Sequence, residues 1–152
     1  LRGQGLDAPA LVGELERARE HIRVIAAVDT LEYLKRGGRV SSVTAFAGML
    51  LGIKPVVAVI DGEVEVIGKA RGSKKANNLL CELIEQHGGV DFSMPYVLGF
   101  TGMSDAMLQK YIADSAHLWQ GQTDSLPVTA IGSVIGTHVG PGAVGVAFFS
   151  KE

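Results

Sequence analysis

Residues 132–143 (Gly132-Ser133-Val134-Ile135-Gly136-Thr137-His138-Val139-Gly140-Pro141-Gly142-Ala143) set a threonine and a histidine among four glycines and a proline. Glycine lets the backbone take positive φ and approach a ligand closely, and proline stiffens the chain by fixing φ. The stretch predicts a short, stiff turn between two apolar segments, with Thr137 and His138 as its polar groups. Beside a cation, an imidazole there can fix a carboxylate or a phosphate. The competing reading is a tight β-turn whose histidine satisfies a backbone group.

A second constellation is Tyr33-Leu34-Lys35-Arg36-Gly37-Gly38-Arg39-Val40-Ser41. A glycine pair, then Arg39 and Ser41 just ahead of a predicted helix start, makes a candidate anion site, because backbone N–H groups, the helix dipole and a guanidinium all favour negative charge. The alternative is a helix C-cap with solvated Lys35, Arg36 and Arg39. The third is Lys69-Ala70-Arg71-Gly72-Ser73-Lys74-Lys75 at a helix entrance, where cations are unfavourable. It reads either as a docking patch for an acidic partner surface or a phosphate, or as a solvated face.

Other chemistries lack their residues. The Gly-Lys-Ser/Thr ending of a phosphate-binding Walker loop is missing, and so are His-Glu-x-x-His, Cys-x-x-Cys and any paired-histidine spacing, so no metal site is expected. No Gly-x-Ser-x-Gly elbow occurs. Asp29, Glu32, Asp61, Asp105 and Asp114 are better explained as caps, turns or surface groups. The residues name no nucleophile and no general base, and no cofactor is expected.

The length of 152 residues favours one domain, and 47% hydrophobic against 20% charged residues describes a globular chain with a sizeable core. A net charge of −2 gives no reason to expect nucleic acid. The single cysteine, Cys81, cannot form an internal disulfide and fits a cytoplasmic location. No apolar run is long enough to span a membrane, and no signal-peptide layout opens the chain. The absent initiator methionine is expected to mark a processed or excised chain.

The elements that must position these residues follow from periodicity. Pro9 suits the first turn of a helix with Leu11, Val12, Leu15, Ala18 and Ile22 at helical spacing. Residues 24–28 read as a buried strand, and Asp29-Thr30 as the cap of a helix from Leu31 to about Lys35, stopped by Gly37-Gly38. Ser41 or Ser42 caps a helix from Val43 to about Leu51 that is apolar nearly all round. Residues 55–67 form a hairpin about Asp61-Gly62. Ser73 caps a helix with the stripe Ala76, Leu79, Leu80, Leu83 and Ile84, ended by Gly88-Gly89. Tyr96 to Phe100 is a strand, a helix carries Met107, Leu108, Tyr111 and Ile112, and residues 128–131 and 142–149 are two closing strands. The fold expected is α/β, a mixed and largely antiparallel sheet of about six strands with four or five helices.

Taken in order, Leu31 through Ser41, Leu51-Gly52-Ile53-Lys54-Pro55, Asp61-Gly62, Lys69 through Ala76, and Ile135 through Ala143 resemble the DegV family, which includes the fatty-acid-binding subunits of bacterial fatty acid kinase. The resemblance covers the chain from about Ala8 and only the second half of the family's pattern. It divides the chain into a residual linker, 1–8, and a C-terminal lipid-binding domain, 9–152; the N-terminal domain, with its own Thr and Ser contacts to the carboxylate, is absent.

What the resemblance implies is a non-catalytic carrier. One long-chain fatty acid lies in an apolar tunnel, and a separate kinase subunit phosphorylates its carboxylate with ATP to an acyl phosphate for phospholipid synthesis. Arg39, Ser41, Thr137 and His138 are then expected around the carboxylate. Arg71, Lys74 and Lys75 match the segment that docks the kinase, although Gly72-Ser73 interrupts it. A carboxylate in an apolar setting needs pairing and hydrogen bonds, which Arg39 and His138 can supply if their turns converge. Phe46, Met49, Leu50, Ile53 and Phe100 are candidates to line the acyl chain, against an ordinary core role for each. The alternative function is a small-molecule phosphotransferase or hydrolase acting on a carboxylate or phosphate held by Arg39 and His138.

Overall fold

In the computed structural model, which describes residues 3, 5–39, 52–119 and 123–151, Asp61 and Gly62 both take positive φ, 50° and 83°. Two successive left-handed residues give a turn whose twist matches an antiparallel pair. The turn joins β2 (Ile53–Ile60) to β3 (Glu63–Arg71), the hairpin that the dipeptide predicts. With β1 (Ile22–Ala27), β4 (Val97–Phe100), β5 (Val128–Ala130) and β6 (Val144–Phe149), these form one six-stranded sheet in the order β3-β2-β1-β6-β4-β5. Neighbours are antiparallel except β4 and β5, which are parallel. The sheet is thus mixed and largely antiparallel, as expected. The last two strands are not neighbours, however: β4 lies between them. A parallel partner requires a crossover, and α4 (Ala106–Asp114) supplies it between β4 and β5.

The remaining α-helices among the described residues are α1 (Ala8–Glu20), α2 (Glu32–Arg36), α3 (Ser73–Gln86) and α5 (Ser133–Val139). Helix α1 starts where the Asp7 carboxylate accepts the Ala10 N–H at 2.9 Å, with Pro9 in the first turn. Its apolar stripe is only partly covered: Leu11 and Ala18 are half-buried, whereas Val12 and Leu15 are 53% and 52% exposed. Ser73 is the first residue of α3 rather than its cap; that place belongs to Gly72 at φ 81° and ψ 159°, a conformation glycine adopts without a Cβ penalty. In α3, Ala76, Leu80, Leu83 and Ile84 are buried at helical spacing, each large side chain contributing roughly 1.5–3 kcal/mol.

Alternation gives the sheet two faces. Ile25, Ala27, Val56, Ala58, Leu98, Val144, Val146 and Phe148 pack under α3 and α4 with Trp119, whose indole N–H donates to the Ser115 hydroxyl at 2.8 Å. The opposite face carries a smaller cluster of Val28, Leu31, Leu34, Val57 and Ala143, with Ala26, Val64, Val66 and Val139 against it. There α2 packs on α5.

Two irregularities matter. The β2–β3 register passes from Val56↔Gly68 to Val57↔Val66, so Ile67 is an extra residue, a β-bulge. In addition, β1 pairs with β6 along its whole length but with β2 only over Ile25–Ala27. Beyond Ile25 the strands diverge, and a cleft of about 920 Å³ opens between Ile22, Arg23, Val24, Val59, Asp61 and His87.

Candidate functional site

The predicted stiff turn around His138 is instead the helix α5, which ends at Gly140 with φ 78°. Gly136 and the β-branched Val134, Ile135, Thr137 and Val139 are poor helix formers, which is why periodicity and propensity point to a turn. Packing on α2 decides the matter. A Cβ on Gly37 would lie 3.0 Å from Cε1 of His138 and closer still to its Nδ1, so the imidazole rests directly on the Gly37 backbone. The reciprocal contact is made by Gly140, where a Cβ would lie 2.9 Å from Cγ of Tyr33 and nearer still to its Cδ2 and Cε2. Each helix lays a ring where the other has only a hydrogen. This close approach is what the glycines at 37 and 140 provide.

His138 is half-buried, and its Nδ1 is shielded from solvent with no hydrogen-bond partner among the described residues. Buried polar atoms are nearly always partnered, and leaving one without a bond costs about 1–3 kcal/mol. The ring thus keeps hydrogen-bonding capacity that the described protein does not use. Thr137 differs: its hydroxyl donates to the Ser133 carbonyl at 2.8 Å, one turn back along the same helix.

Gly37 is also the C-cap of α2, followed by Gly38 at φ 65° and by Arg39, whose N–H donates to Leu34 O at 3.0 Å. Arg39 is exposed, on a loop whose start touches His138. The two glycine-bearing segments therefore converge, and they bring Arg39 to within two residues of the histidine's seat. An ion pair joins Glu32 and Arg36, the first and last residues of α2.

Of the other predicted site residues, Ser41, Phe46, Met49 and Leu50 lie outside the described residues. Ile53 opens β2, half-buried, on the same face as Val57 and the α2–α5 cluster. Phe100 is on the other face, packed against the core beneath α3 and α4 opposite Val144. It is not brought together with Ile53 or His138, because strand alternation turns it away. Arg71, Lys74 and Lys75 are all exposed, at the end of β3 and in the first turn of α3, which has no acidic residue.

One residue that shapes this region escapes sequence reasoning. Thr101, 4% exposed, donates its hydroxyl to Gly140 O at 2.6 Å and accepts the Ala143 N–H at 2.9 Å. Its backbone adds Thr101 N–H to Ala143 O at 3.0 Å and Gly142 N–H to Thr101 O at 3.1 Å. Four bonds thus clamp the segment that follows α5 and fix where His138 stands. A Thr-Gly pair after a strand reads as a turn; only its burial shows the clamp.

The strongly perturbed ionisable groups are elsewhere. Burial pushes the Cys81 thiol up to about 11 and the Tyr111 phenol well above its usual value, both in the core between α3 and α4. Among the described residues no cluster of His, Cys, Asp or Glu could hold a metal ion, and no helix is long and apolar enough to cross a membrane.

Comparison with known proteins places this geometry. A family model described as "Uncharacterised protein, DegV family" matches residues 1–151. A DegV domain-containing protein of Deinococcus radiodurans is 36% identical over 148 residues, which is 94% of this chain and 50% of that protein. A solved fatty acid binding DegV family protein from Streptococcus agalactiae superposes with a TM-score of 0.78 at 29% identity, covering 98% of this chain and 52% of that one. Another, from Thermus thermophilus and described by its fatty acid binding, gives 0.74 at 32% identity, with 97% and 52% covered. The chain spans about half the length of the curated relatives it matches.

Proposed function

Because the chain belongs to the DegV family, we propose that it is the lipid-holding domain of a non-catalytic carrier. The carrier binds a long-chain fatty acid and presents its carboxylate to a separate kinase subunit for phosphorylation to acyl phosphate. The observation that carries this reading is the seating of His138 on Gly37, two residues from Arg39, which brings the two polar segments together. An imidazole seated at the start of the loop that carries Arg39 can supply the hydrogen bond, and the guanidinium the charge, that a carboxylate needs in an apolar setting. Two relatives above 25% identity are described as fatty acid binding, which supports the ligand class.

The acyl chain supplies the driving force. At ~0.8 kcal/mol per methylene, burying a 16-carbon tail contributes on the order of 10 kcal/mol before ordering costs. The half-buried Ile53 at the start of β2 is the described residue of this chain that we assign to the tail. The exposed corner of Arg71, Lys74 and Lys75 is the surface assigned to the kinase.

Mass spectrometry of organic extracts from the natively folded protein that carries these residues should detect acyl chains. Finding none, even after fatty acid is added back, contradicts the reading. Incubation with ATP and fatty acid should give acyl phosphate only when a kinase subunit is added; turnover by the carrier alone would instead support a phosphotransferase. The 152 residues by themselves are expected to bind palmitate or oleate weakly, since the family's other domain contributes carboxylate contacts; tight binding by titration calorimetry would refute that expectation.

A further inference from the structure

Inside the cleft between β1 and the β2–β3 hairpin the sheet presents a strand edge in addition to its two rims. Two registers locate it. Val28 N–H donates to Pro55 O on the β2 side of β1, and Ser150 N–H donates to His21 O on the β6 side. Backbone groups in an antiparallel sheet point alternately to one neighbour and the other, so those of Ile22, Val24 and Ala26 face β2 and those of Arg23, Ile25 and Ala27 face β6. The β1–β2 pairing stops at Ile25↔Ala58. Val24 and Val59 come next across the fork, and the Val24 N–H does not meet the Val59 carbonyl. Further out, the Ile22 carbonyl accepts the Arg23 guanidinium at 3.0 Å in place of a strand.

The two rims are guarded: β3 has its bulge and four charged residues, and β5 is three residues long. The edge in the fork has neither device. Its flanks are apolar and open, with Ile22 and Val59 at 44% and Val24 at 38% exposure. Unpaired backbone bordered by exposed β-branched side chains is the complement of another strand. Charge narrows the choice of strand. Arg19, in the last turn of α1, also lines the cleft, and its guanidinium has no partner among the described residues. Arg23 bonds only to the carbonyls of Glu20 and Ile22. The acids of the cleft, Glu20 and Asp61, form an ion pair with neither, so both cations are left to an incoming carboxylate.

We propose that the fork docks an extended segment of a partner protein, which adds to β1 as an antiparallel strand and sets a carboxylate at its C-terminal end against Arg19 and Arg23. An antiparallel segment runs outward from the fork, so its first residue takes the Val24 N–H and its last reaches α1. The Arg23 guanidinium then leaves the Ile22 carbonyl for the carboxylate and frees that carbonyl for an N–H of the segment. A strand residue in a packed sheet fills roughly 160 Å³, so the cleft of about 920 Å³ has room for about six. The site lies at the start of β1, whereas α2 and His138 follow its other end, and it does not depend on the fatty acid reading.

The natively folded protein that carries this chain can be titrated, by fluorescence polarisation, with a panel of labelled and capped hexapeptides. Valine, isoleucine or threonine fills their odd positions, serine or threonine the even ones, and aspartate the last. Members of the panel should bind, and moving the aspartate to the first position or replacing it by asparagine should weaken them about two- to fivefold. Val24→Pro removes an N–H that faces the cleft and leaves the bonds to β6, so it should weaken every binder at least fivefold, whereas Val24→Thr should stay within about twofold. In the unaltered protein, saturating peptide should slow amide exchange at Ile22 and Val24, a readout that needs no variant to fold. Four results would each overturn the proposal: no binding by any member of the panel, binding indifferent to Val24→Pro, protection confined to other amides, or protection of Ile22 and Val24 that rises with protein concentration alone. The last would mark a second copy of the chain as the occupant.

Discussion

Gly37→Ala tests the contact on which the site depends. Gly37 has φ −76° and ψ −5°, a conformation that alanine adopts without strain. Taken alone, the substitution stabilises by roughly 0.4–1 kcal/mol, because alanine has fewer unfolded conformations to lose. The new methyl, however, would stand 3.0 Å from Cε1 of His138 and nearer to Nδ1. Overpacking of this kind costs about 1–3 kcal/mol, met by displacing the imidazole or the α2–α5 pair. The net expectation is a loss of roughly 0–2.6 kcal/mol in the parent protein. In a His138→Ala background the same change should raise stability by about 0.4–1 kcal/mol. Urea midpoints at constant m-value for the parent, both single variants and the double variant give the coupling directly, and it should lie between about 1 and 3 kcal/mol. Additive effects, with Gly37→Ala equally costly whether or not the imidazole is present, would refute the seating of His138 on Gly37.

The clamp, the alkaline limit and the basic corner can be tested as directly. Thr101→Val keeps the shape but leaves Gly140 O and Ala143 N–H without the hydroxyl, so urea unfolding should show a loss on the order of 2–4 kcal/mol. The Cys81 thiol is raised from 9.0 to about 11 by burial, so the folded state holds its proton more tightly than the unfolded chain. Its contribution is intact below pH 9 and is lost as pH rises towards about 11, by up to ~1.4 kcal/mol per unit, and Cys81→Ala should flatten the fall in urea midpoint between about pH 8 and 10.5. Reversing charge at Arg71, Lys74 and Lys75 together should abolish kinase-subunit binding in a pull-down without loss of retained lipid; lipid loss would show that the corner is not a separate docking surface.

What the sequence made legible is local. Asp61-Gly62 announces its turn because the left-handed pair is encoded in the residues themselves, and the stripe of α3 repeats with the helical period. The Arg39 and His138 segments are conspicuous as glycine-bearing polar stretches and do converge. What was hidden is tertiary. Helix α5 forms against its own propensities because α2 offers Gly37 and Tyr33 to pack on, and Thr101 acquires a role only through residues about forty positions away. Phe100 looked like an apolar wall residue, yet a strand sends alternate side chains to opposite faces, and the face is set by pairing with β6.

The bulge at Ile67 also bears on how this molecule avoids its own kind. β3 is an outer strand, and its sequence Glu63-Val64-Glu65-Val66-Ile67-Gly68-Lys69-Ala70-Arg71 is nearly self-complementary when laid head to tail on a second copy, acid opposite base at both ends. A regular strand would point all four charges the same way and invite edge-to-edge growth of the sheet. Here Glu63 and Glu65 share the side of Ile60 and Ala58, whereas Lys69 and Arg71 share that of Pro55 and Ile53. One inserted residue thus sets the would-be ion pairs on opposite sides of the ribbon, and a sticky rim becomes an inert one.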